Sequence, residues 1–84
     1  MRATLLHDKL EALRYRGPQH MPEYCKKFRL IGSQIYEMAF TDHLNYFLKK
    51  FPPETVMHIQ NQDSLRSEDM EVVYQLARQW AINA

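Results

Sequence analysis

Eighty-four residues make one small domain with a modest core, because a chain of this size buries only a little over roughly 60% of the surface its unfolded form exposes. Hydrophobic residues at 45% and charged residues at 25% exclude a disordered chain, and a formal net charge of +1 supplies no global field for steering onto nucleic acid or an anionic membrane. The lone Cys25 excludes an internal disulfide, and no apolar run is long enough for a signal core or a bilayer span, so the chain reads as cytoplasmic.

Two glycines and four prolines in a background of Leu, Met, Gln, Lys, Arg, Glu and Ala predict an all-α chain. A first helix is predicted over Thr4–Tyr15, with Leu6, Leu10 and Leu13 on one face and Gly17-Pro18 as its stop. The second opens near Met21, with Pro22 tolerated in the first turn and Glu23 complementing the helix dipole. Its stripe runs through Met21, Tyr24, Phe28, Ile31, Ile35 and Met38, and Gly32-Ser33 weakens it near its end. Thr41-Asp42 is the expected cap of a third helix, DHLNYFLKKF, whose Leu44, Phe47, Leu48 and Phe51 face inward. Asp42, Tyr46 and Lys49 then point outward, with His43 and Lys50 on a flank. Pro52-Pro53 stops that helix and opens a fourth, PPETVMHIQN, with Val56, Ile59 and Met57 inward. Gln62–Arg66 is expected as a polar loop. Ser67 is the expected cap of a fifth helix whose inward stripe holds Val73, Leu76 or Ala77, and Trp80. The fold expectation is a compact bundle of four to five short helices, one domain over 1–84. Its core is expected from Leu10, Leu13, Tyr24, Phe28, Ile31, Leu44, Phe47, Leu48, Val56, Ile59, Val73 and Leu76.

Chemistry finds little purchase. His7, His20, His43 and His58 lie in separate elements with no H-x-x-x-H or C-x-x-C spacing, so neither a metal nor another cofactor is expected. Cys25 on an amphipathic helix reads as a small buried hydrophobe rather than a nucleophile paired with His20. No enzyme is expected. Arg14, Arg16, Lys26, Lys27 and Arg29 gather around the Gly-Pro turn as a candidate polyanion contact, set against a plain solvated face. Because aromatics are enriched in interface cores, the outward Tyr46, ringed by Asp42, His43 and Lys49, is the candidate centre of a symmetric dimer interface. Tyr74 on the fifth helix is the next candidate.

The order of these parts resembles one family. LRYRGPQHMPEYCKKFRLI, then FTDHLNYFLKKFPPETVMHI, then EVVYQLARQW, is similar to the C-terminal capsid domain of Gag, most nearly that of gypsy-type LTR retrotransposons or a domesticated Gag-derived protein. Arg16, Gly17, Gln19, His20, Tyr24, Lys27 and Phe28 take the places of the major homology region. Gly17, Tyr24 and Phe28 match its pattern outright, whereas retroviral relatives have Gln in the place of Arg16 and Arg in the place of Lys27. Lysine lacks the planar fork of arginine, so the retroviral hydrogen-bond network does not carry over intact. The resemblance implies a structural domain of a longer Gag polyprotein, with self-association and assembly into intracellular virus-like particles. Its implied partners are further copies of itself and the N-terminal capsid domain, with no membrane and nucleic acid only weakly or indirectly. Two alternatives stand beside it. FLKKFPPETVMHIQ resembles the corresponding phrase of SCAN-type dimerisation domains of transcriptional regulators, and the basic cluster suits an RNA- or polyanion-binding helical module.

Overall fold

Proline, glycine and the apolar stripes divide the chain into five α-helices: α1 Arg2–Ala12, α2 Met21–Gly32, α3 Phe40–Leu48, α4 Pro53–Gln60 and α5 Met70–Ile82. Two 3-10 turns, Pro18–His20 and Asp63–Ser67, lead into α2 and α5. The computed structural model describes residues 2–35 and 38–84, with side chains described from Leu5 onward, and no strand occurs among them. The all-α bundle expected from the composition is the observed class.

Helix boundaries move where tertiary contacts outweigh local propensity. α1 ends at Ala12 rather than Tyr15, closing with Leu13 N–H donating to the Leu10 carbonyl at 3.2 Å. Leaving the helix lets Tyr15 set its ring edge-on against Phe51, with centroids 4.7 Å apart. α3 starts at Phe40, behind an Ala39 N-cap that offers no side-chain bond, so Thr41-Asp42 is not the cap. Half-buried Phe40 anchors that first turn in the core instead. α5 is capped by Asp69, whose carboxylate accepts from the Glu71 N–H at 3.0 Å, and not by Ser67. The Ser67 hydroxyl instead donates to the Ser64 carbonyl within the 3-10 turn that occupies the expected polar loop.

The core is an aromatic knot. Phe28 and Phe47 are fully buried, with centroids 5.2 Å apart, and Tyr24, Phe51 and Tyr74 pack their rings around them. Leu10, Leu48, Ile59 and Val73 are buried as expected, whereas Leu13, Ile31, Leu44, Val56 and Leu76 are only half-buried. On α4 the inward pair is Thr55 and Ile59, one helical step of four apart. That register turns Met57 out to 61% exposure, against the expectation that it faces inward. On α5 the inward positions are Val73, Tyr74 and Ala77, so Tyr74 is not an outward contact residue, and Trp80 is half-buried.

α2 and α5 pack side by side in opposite chain directions. Arg29 near the end of α2 pairs with Glu71 at the start of α5, Nε to Oε2 at 2.9 Å. At the other end Pro22 and Cys25 share a groove with Tyr74 and Arg78, and the Pro18–His20 turn also lies against α5.

Candidate functional site

Gly17 organises the connector between α1 and α2. Its φ of 119° with ψ of 173° lies in a region open to glycine alone, and a Cβ there would meet Gln19 Oε1 at 3.3 Å. The Gly17 carbonyl accepts from the His20 N–H at 3.0 Å, which closes the Pro18–His20 turn and delivers the chain to α2. Met21 then enters the core at 0% exposure. One and two turns on, Tyr24 and Phe28 follow it inward on the same face.

Tyr24 joins this connector to α3. Its hydroxyl donates to the Phe47 carbonyl at 3.0 Å. That carbonyl lies in the last turn of α3, where no backbone N–H of the same helix can reach it, so the phenol acts as a C-terminal cap from another helix. Burial pushes the Tyr24 phenol well above its ordinary range, which keeps it protonated and able to donate. Burial likewise raises the Tyr15 hydroxyl, which is enclosed beside Tyr24 without a hydrogen-bond partner among the described residues.

On the outer side of the same turn, Arg14, Arg16, His20, Glu23 and Lys27 border a depression of about 300 Å³. Glu23 is its hub. Lys27 Nζ lies 2.9 Å from Glu23 Oε1 and His20 Nδ1 lies 3.7 Å from Oε2. The Lys27 hydrogen bond holds the Glu23 carboxyl below its usual value. Besides complementing the helix dipole, Glu23 stands in the favoured i, i+4 order to Lys27, a spacing legible in the sequence. Gln19 and Arg16 are exposed and form no ion pair or side-chain hydrogen bond among the described residues.

The basic cluster is divided by α2. Arg14, Arg16 and Lys27 stay on the connector side, whereas Lys26 lines the α2–α5 groove with Arg29 and Arg78. Lys27 and Arg29 are spent on Glu23 and Glu71. The four-residue contact of Arg14, Arg16, Lys26 and Lys27 expected from sequence is therefore not one patch.

The α3 face also differs from expectation. Tyr46 is half-buried, not outward, and its ring stacks on His7 of α1 with centroids 5.7 Å apart. Lys49 donates to both carboxylate oxygens of Glu11, at 3.0 and 3.2 Å, and Lys50 Nζ donates to the Glu11 carbonyl at 2.6 Å. The Lys49 bond depresses the Glu11 carboxyl. α1 thus occupies part of the surface assigned to a dimer, leaving Asp42 exposed. His43 is half-buried with Nε2 enclosed and unpartnered among the described residues, and burial lowers its pKa against the opposing pull of Asp42.

Among the described residues no three His, Cys, Asp or Glu side chains converge to hold a metal ion, and no helix is long and apolar enough to cross a membrane. Cys25 is buried, with its thiol pushed up to about 11 by burial. Comparison with family models, curated proteins and solved structures finds no match for this chain.

Proposed function

We propose that this chain is a structural, non-catalytic domain of the Gag capsid type, acting through self-association. The observation that carries the reading is the continuity from Gly17 through the Pro18–His20 turn into α2. That turn seats Tyr24 and Phe28 in the core, and Tyr24 ties α2 to the end of α3. These are the positions at which the sequence matches the capsid homology region outright. The polar part of the region is rebuilt locally as His20, Glu23 and Lys27, in keeping with a retrotransposon-like or domesticated relative.

The test is electron microscopy with sedimentation velocity on concentrated protein, both as this chain and as the polyprotein the reading implies. Tubes, shells or progressive oligomers are the expected result. Discrete dimers that never grow would favour a SCAN-type dimerisation module, and a monomer at every concentration would overturn self-association altogether.

A further inference from the structure

The antiparallel packing of α2 on α5 sorts the surface charges by end. Beside the start of α2 and the later half of α5 lie Lys26 and Arg78, which share the α2–α5 groove and are both exposed and without an ion pair among the described residues. Beside the start of α5 lie exposed Asp63, Glu68 and Asp69, with Arg66 among them and with Arg29 and Glu71 neutralising each other. α5 holds these groups apart, since its 13 residues span about 20 Å at the helical rise. A net charge of +1 conceals this polarity. Each end also carries one exposed large apolar side chain, Ile82 at 77% on the basic end and Leu30 at 65% on the acidic end.

We propose that the basic end of one copy docks on the acidic end of a second copy, a head-to-tail contact with Ile82 and Leu30 as its apolar elements. The proposal rests on the self-association reading above, and names a heterologous contact in place of the symmetric one centred on Tyr46. Opposite charge favours this pairing, while like ends repel in either symmetric arrangement. A heterologous contact uses a different surface on each side, so every bound copy keeps one free end, and growth continues into rings or filaments. A second copy is a better fit than a polyanion because the acidic end would repel a polyanion and has no role in binding one.

Charge exchange tests it. Lys26→Glu with Arg78→Glu removes the excess positive charge of the basic end, and Asp63→Lys with Glu68→Lys makes both ends basic, all at exposed positions outside the core. By sedimentation equilibrium, each double variant alone should associate at least about tenfold more weakly than wild type, and an equimolar mixture of the two should recover hetero-association. Wild-type association should also weaken as salt rises from about 0.05 to about 0.5 M. If wild type associates and the variants associate equally well, the head-to-tail contact is wrong while self-association stands. A wild type that stays monomeric overturns both readings. A monomer that binds RNA in a salt-sensitive way, with loss only in the basic-end variant, replaces them with a polyanion site.

Discussion

At the scale of single residues, the backbone of Gly17 decides how α2 enters the bundle. Its φ of 119° is inaccessible to a β-branched residue without strain, so Gly17→Val should cost about 1–3 kcal/mol. Arg16→Gln, one residue away and exposed, is expected to sit within about 0.5 kcal/mol of wild type. Urea denaturation of the two variants checks this, and equal midpoints would show that the turn does not depend on glycine. The need for glycine was readable from Gly-Pro punctuation in the chain. Tyr24 and Phe28 were readable too, because steps of three and four place them on one face. The Tyr24 bond to the Phe47 carbonyl was not, since no sequence periodicity records which helix end lies beside which side chain.

Among the elements, α1 is joined to the rest by a different kind of bonding. Leu10 is buried in the common core, whereas exposed or half-buried groups make its links to α3 and the residues after it. Exposed ion pairs contribute little, so the His7–Tyr46 stack is expected to matter to local docking. Tyr46→Ala should raise amide exchange across α1 while protection in α2 and α5 persists, read by hydrogen exchange followed by mass spectrometry. Unchanged exchange in α1, together with loss of oligomers, would return Tyr46 to an intermolecular role. Taken by itself, the pattern of α3 places Tyr46 outward, on the face opposite Leu44, Phe47, Leu48 and Phe51. Periodicity finds the side of a helix that faces the main core, yet it cannot see a second helix covering the other side. Met57 shows the same limit: on a helix as short as α4 the apolar pattern points Val56, Met57 and Ile59 inward, whereas packing buries Ile59 with Thr55 and leaves Met57 exposed.

Taken whole, the molecule is held by one knot of rings, and four ionisable groups lie in or beside it. Burial raises the pKa of Tyr15, Tyr24 and Tyr74 and pushes the Cys25 thiol up to about 11 from an ordinary 9. In each case the folded state holds its proton to higher pH than the unfolded chain does. The stabilisation from keeping these groups neutral is therefore complete below the unfolded values and is lost as pH rises through the folded ones. For Cys25 that window runs from about 9 to about 11, and the tyrosines extend the decline above their ordinary 10. Each group contributes a slope of at most about 1.4 kcal/mol per pH unit. Urea midpoints should hold steady to about pH 8 and fall progressively by about pH 10.5. Cys25→Ala, referred to its own midpoint at neutral pH, should show a shallower decline because one of the four groups is gone. A wild-type midpoint that stays level across the alkaline range would mean that water reaches the ring cluster and that the knot is looser than its packing indicates.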